Sequence, residues 1–145
     1  AERAARMHEP HALRLDMARA LIPGLTFCEE NEGGVVAHPE QFGDVVLARK
    51  DTPTSYHLCV THDDALQGVT LVTRGEDLKP ATHLHRLLQA LMGWPTPVYA
   101  HHRLLTDSAG RRLAKRDAAS SLQKLKAAGL SPAEVRSLAG FPRPI

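Results

Sequence analysis

A chain of 145 residues with 43% hydrophobic side chains can pack one domain, and a globule of that size buries about 70% of its unfolded surface. Its net charge of +2 permits contact with nucleic acid without requiring it, and an aromatic content of 4% argues against a base-stacking platform. No apolar run approaches the ~20 residues of a membrane span, and two widely spaced cysteines, Cys28 and Cys59, fit reduced cytosolic thiols better than a disulfide scaffold.

Residues 1–8 read as the end of a charged helix or linker. With neither an initiating methionine nor an apolar signal-peptide core, the start reads as the middle of a longer polypeptide. Leu13, Leu15 and Met17 alternate with Arg14 and Asp16, which predicts a half-exposed strand over residues 11–17. Gly33, Gly34 and Pro39 mark a loop, residues 43–48 a second strand, and residues 50–54 a turn. Two short apolar strands are expected at residues 56–61 and 69–73, separated by the polar stretch at 63–68. The clearest helix follows: Pro80 lies in its first turn, Leu84, Leu87, Leu88 and Leu91 recur at helical spacing, and Gly93 closes it. Another strand is expected at 98–100. Apolar strands alternating with a helix predict an α/β fold with a parallel sheet. Beyond Gly110, one helix is expected from Ser120 and Ser121 to Gly129. A second opens on the capping box Ser131-Pro132-Ala133-Glu134 and ends at Gly140.

Two stretches carry charge suited to chemistry. Arg74 should lie at the carboxyl end of a strand, where loops and helix N-termini converge on ligands in open α/β sheets. Its guanidinium fork suits a carboxylate; an internal Arg–Asp ion pair at the strand–helix corner is the structural alternative. Asp77 can cap the helix beginning near Leu78 or accept from a ligand's hydroxyls. The cluster Arg111, Arg112, Lys115 and Arg116 can neutralise phosphates or simply form a solvated basic loop. Tyr56 can reach a strand-end site or pack half-buried. His83 and His85 should face apart on their helix, His101 and His102 should point to opposite sides of a strand, and no metal site is assigned. Cys59 reads as a core thiol within a strand.

The order of motifs adds a resemblance. Gly43-Asp44-Val45-Val46-Leu47-Ala48-Arg49-Lys50-Asp51, Ser55-Tyr56-His57-Leu58, Asp63-Asp64, Gln67-Gly68-Val69-Thr70 and Arg74-Gly75-Glu76-Asp77-Leu78 together resemble the glutamyl-tRNA synthetase group of class I enzymes. Trp94-Pro95-Thr96-Pro97 and Arg112-Leu113-Ala114-Lys115-Arg116 continue it, the last resembling the "KMSKS" signature loop, with Ala114 for the usual serine and Arg112 for the usual lysine. The resemblance covers roughly residues 11–140. With 29 residues after Arg116, the ending is similar to that of the truncated paralogue family, the glutamyl-queuosine tRNA(Asp) synthetases.

The resemblance implies the second half of a Rossmann-type parallel sheet. Residues 1–50 would end a connective insertion, 51–105 would form the second half of the nucleotide-binding fold, and 106–145 the signature loop and C-terminal helices. It implies that Tyr56 and Arg74 bind glutamate, that Lys115 acts on ATP, and that Asp77 and Arg112 approach the nucleotide. It also implies ATP as substrate with Mg2+, zinc only if an upstream segment carries its cysteines, and tRNA(Asp) bearing queuosine as acceptor, all in the cytoplasm. The "HIGH" half would precede Ala1, so the chain alone is expected to be incomplete as an enzyme and to pair with an N-terminal fragment or with itself. Two alternatives stay open: part of an ordinary glutamyl-tRNA synthetase charging the tRNA 3′ end, and a non-catalytic RNA-binding module using the basic loop.

Overall fold

A computed structural model describes residues 8–107, 109–113 and 121–141. They fall into two compact units, one ending at His102 and the other beginning at Arg103.

In the first unit, strand β1 (Leu13–Arg14) pairs antiparallel with β4 (Val46–Ala48). The strand expected over residues 11–17 is thus only two residues long. Asp16 cuts it short by accepting from the Arg19 backbone N–H at 3.2 Å, which caps helix α1 (Met17–Ala20). Strands β2 (Thr26–Glu29) and β3 (Gly33–Val36) form an antiparallel hairpin. Gly33 and Gly34, expected in a loop, instead open β3. Gly33 pairs with Glu29 and takes φ 80°, which turns the chain out of the three-residue connection.

The second correction concerns residues 56–61, which are helical. Helix α2 runs Tyr56–Leu66, capped by the Ser55 hydroxyl and stopped before Gly68 at φ 66°. A short apolar run does not distinguish strand from helix by itself, and Asp63-Asp64, read as a break, simply continue the helix. Cys59 is therefore a helical, half-buried thiol whose Sγ lies 2.8 Å from the Thr54 hydroxyl, not a strand residue.

Strand β5 (Leu71–Gly75), helix α3 (Lys79–Met92) and strand β6 (Val98–His102) form the expected β–α–β unit, with β5 and β6 parallel from Leu71↔Val98 to Gly75↔His102. The four-stranded sheet has the order β3-β2-β6-β5; β6 is also parallel to β2, and only the β2–β3 pair is antiparallel. The fold is α/β, and among the described residues β5 is the terminal strand of the sheet. Gly93, at φ 67°, ends α3 in the left-handed conformation that glycine tolerates without a Cβ clash.

The core lies between this sheet and α3. Leu84, Leu87 and Leu88 pack with Phe27 and Tyr99, whose rings meet edge-on at 5.8 Å. The buried face of α3 is not the purely apolar stripe that the leucines suggest. Leu91 is 41% exposed, whereas Thr82, His85 and Gln89 are fully enclosed. Enclosed polar groups must find partners, since each buried donor or acceptor left unpaired costs roughly 1–3 kcal/mol. The partners of Thr82 and His85 define the site described below.

In the second unit, Thr106 and Arg112 pair across a tight reversal. The Asp107 carboxylate organises it by accepting from the backbone N–H groups of Ala109 and Arg111, each at 2.9 Å. Helices α4 (Leu122–Ala127) and α5 (Pro132–Leu138) follow, and the expected capping box is present, with Ser131 and Glu134 bonding reciprocally. Ser131→Ala is expected to destabilise α5 by about 1 kcal/mol. Amide exchange at Val135 and Arg136 should quicken about fivefold, the rate equivalent of that loss, while amides of α3 stay unchanged.

Candidate active site

Along β2, β6 and β5, the side chains facing α3 alternate, and at the carboxyl ends of the strands they change from apolar to polar. Phe27, Tyr99 and Val72 belong to the core; two residues further on stand Glu29, His101 and Arg74. Arg74 is level with His101 in the ladder and donates from Nε to His101 Nε2 at 3.1 Å. His101 Nδ1 lies 2.7 Å from Glu29 Oε2, and Glu29 Oε1 accepts from the His101 backbone N–H at 2.9 Å. The side chains of Glu29 and His101 are each only 2% exposed.

Helix α3 closes the other side. Arg74 Nη1 bonds His85 Nδ1 at 3.1 Å, and Nη2 donates to the Thr82 hydroxyl. The guanidinium also lies 5.2 Å from the centre of the Tyr99 ring. His85 continues the chain, with its Nε2 3.1 Å from His57 Nδ1 on α2. Guanidinium is a donor only, so both imidazoles must meet it with lone pairs. Burial, then the Arg74 charge, then His57 hold the His85 pKa down to about 3, so the ring is neutral. Burial and Arg74 likewise push His57 down. Burial raises Glu29, but hydrogen bonds from the His101 backbone N–H and ring outweigh it, and its pKa is lowered overall. Burial raises the Asp64 carboxyl, an effect that Arg74 partly offsets.

Arg74 therefore stands at the strand end foreseen for it, held by two imidazoles, a hydroxyl and a ring. Three of its five N–H groups serve these contacts, leaving one N–H on each Nη nitrogen. Tyr56 is not on a strand. It opens α2, is 54% exposed, and its ring lies 5.4 Å from His57 and 6.3 Å from His85, beside the same histidine chain. Asp77 lies in a 3-10 turn (Glu76–Leu78) and does not occupy the N-cap of α3, which is Leu78 without a side-chain cap. Arg112 lies in the reversal of the second unit. There Arg111 is paired with Asp107 at 2.8 Å, so one of the four cations of the basic cluster serves the loop itself. Lys115 and Arg116 lie outside the described residues. Among the described residues, no group of three or more His, Cys, Asp or Glu side chains is arranged to hold a metal ion.

Residues 1–139 match the family described as tRNA synthetases class I (E and Q), catalytic domain. The chain belongs to that family. The Glutamyl-Q tRNA(Asp) synthetase of Rhodobacter capsulatus is 62% identical over 99 residues, covering 68% of this chain and 36% of that protein. The glutamate–tRNA ligase of Thermus thermophilus is 38% identical over 148 residues, covering 99% of this chain and 31% of that protein. Among solved structures, the glutamate-tRNA synthetase of Elizabethkingia anophelis superposes with a TM-score of 0.52 at 29% identity, over 77% of this chain and 20% of that one. The chain spans about a third of the length of the curated relatives it matches.

Within this class I synthetase domain, Glu29, His57, Thr82, His85 and His101 surround Arg74, a part that the motifs assign to none of them: His57 stands within a motif without a role, and His85 and His101 are weighed only as metal ligands. A signal for most of them existed. Glu29 shares a strand face with Phe27, His101 shares one with Tyr99, and Thr82 and His85 are polar residues at i, i+3 on an apolar helix face.

Proposed function

We propose that the protein activates glutamate with ATP and transfers it to queuosine in the anticodon of tRNA(Asp), in the cytoplasm, with this chain supplying the second half of the catalytic fold. The observation that carries the reading is Arg74: a strand-end guanidinium held by neutral acceptors and free of charge neutralisation by those contacts, as recognition of a carboxylate requires. Arg74 and Tyr56 bind glutamate. Its α-carboxylate attacks the α-phosphorus of ATP, the bond to the β-phosphate oxygen breaks, and pyrophosphate leaves. Lys115, with Arg112, offsets the charge that gathers on the transferring phosphate, and Asp77 approaches the nucleotide. A queuosine hydroxyl then attacks the carbonyl of the glutamyl-adenylate, losing its proton, and AMP departs. Mg2+ accompanies ATP. Because β5 ends the sheet among the described residues, its edge is the place for a strand from elsewhere in the protein or from a second copy.

Relatives named Glutamyl-Q tRNA(Asp) synthetase support this acceptor over the shorter spans, at 62% identity over 99 residues and 48% over 95; over 135 residues one is 39% identical, level with the 38% of the glutamate–tRNA ligase over 148. That ligase, however, matches over 99% of the chain, which keeps glutamylation of the tRNA 3′ end as a second reading.

The purified full-length protein is expected to catalyse glutamate-dependent exchange of pyrophosphate into ATP. Lys115→Ala should lower that exchange about 100-fold. The protein should glutamylate tRNA(Asp) that carries queuosine and not the same tRNA bearing guanosine there. Exchange unaltered in Lys115→Ala removes the role of the lysine, and charging of unmodified tRNA at its 3′ end transfers the assignment to the second reading.

A further inference from the structure

Arg74 can present its remaining N–H groups in one direction only if its neighbours accept and never donate. On β6, that condition is set by Glu29. Its two oxygens are both engaged by one residue, Oε1 by the His101 backbone N–H and Oε2 by His101 Nδ1. A carboxylate can only accept, so the ring proton sits on Nδ1 and the lone pair on Nε2 faces Arg74. On α3, His85 meets Nη1 through Nδ1 and therefore carries its proton on Nε2, which donates to His57 Nδ1. Every ring in the chain has one assignable tautomer, and the order of donors runs without conflict from His57 to Glu29.

We propose that Glu29 and His85 are positioning residues for substrate binding: they fix the tautomers around Arg74 and so hold its guanidinium in one orientation toward the amino-acid substrate. This inference rests on the reading of Arg74 as the carboxylate-binding residue. Glu29 and His85 are both enclosed, at 2% exposure, and both act through the cation. A preorganised fork loses less freedom on binding than a flexible one, so loosening it weakens binding of the amino acid specifically.

Two substitutions test this with little change of volume. Glu29→Gln offers one acceptor and one donor where two acceptors are needed. If its oxygen keeps the backbone N–H of His101, its amide faces Nδ1, the ring proton moves to Nε2, and that proton opposes Arg74. His85→Leu removes the second acceptor, whereas His85→Asn restores an oxygen near the place of Nδ1. In pyrophosphate exchange by the full-length protein, Glu29→Gln and His85→Leu are each expected to raise KM for glutamate about tenfold. KM for ATP and kcat should stay within about twofold, and His85→Asn should recover most of the loss. A glutamate KM unchanged in Glu29→Gln and His85→Leu overturns the proposal, as does a parallel rise in both KM values, which would mark a merely structural role. Should Glu29→Gln fail to fold, the contrast between His85→Leu and His85→Asn decides. Arg74→Lys serves as the control: if it leaves the glutamate KM unmoved, the reading of Arg74 fails; if it raises that KM while the positioning variants do not, only the present inference fails.

Discussion

Arg74→Ala is expected to lower kcat/KM for glutamate in pyrophosphate exchange by roughly 10³-fold, within a span of about 10²–10⁴. The figure follows from two charge-assisted hydrogen bonds from a guanidinium to a carboxylate, each worth about 1.5–3 kcal/mol. Arg74→Lys should recover only part of this. An ammonium on a shorter fork-less stem cannot reach His101, His85 and Thr82 together and still point donors at a ligand. The alanine variant also leaves two imidazole acceptors facing a void, so a modest fall in thermal stability accompanies the loss, and kinetics must be read below the lowered transition. A kcat/KM for glutamate within about threefold of the unaltered protein would remove Arg74 from the binding site and, with it, the proposed function.

The second large effect is acid instability centred on His85. Its folded-state pKa of about 3 lies below the ordinary 6.5, because burial and the nearby Arg74 and His57 oppose a second proton. Between those two values the unfolded chain holds a proton that the folded chain refuses. The stability contributed by the neutral ring is therefore complete above pH 6.5 and is lost as pH falls from 6.5 toward 3. At about pH 4.5 the loss is ~2–3 kcal/mol. His57, also lowered, acts in the same sense. Glu29, with its lowered carboxyl, loses its contribution only at more acid pH, below the ordinary 4.5. Denaturant unfolding at about pH 7.5 and about pH 4.5 should show this drop in the unaltered protein and a drop smaller by about 2 kcal/mol in His85→Asn. Equal drops in the two proteins would show that His85 titrates normally.

These effects converge on residues whose legibility differed sharply. The β5–α3–β6 unit could be read directly, because Pro80, the leucine spacing and Gly93 each act within one or two helical turns of chain. The capping box at Ser131 was legible for the same reason, and so was the place of Arg74 at a strand end. Helix α2 was not. A short run of apolar and neutral residues satisfies either period, and the choice was made by packing: eleven residues could lie beside α3 and bring His57 to His85.

The amino-acid sequence by itself determined the α/β class, the synthetase family and the place of Arg74 near the end of a strand, since these depend on local periodicity and on motifs in a fixed order. Only the tertiary structure decided what surrounds that cation. Glu29 and His101 are 72 residues apart, and they meet because β6 lies between β2 and β5 in the sheet. A row of side chains across three parallel strands is created by strand order and register, and neither is written in the spacing of any single segment.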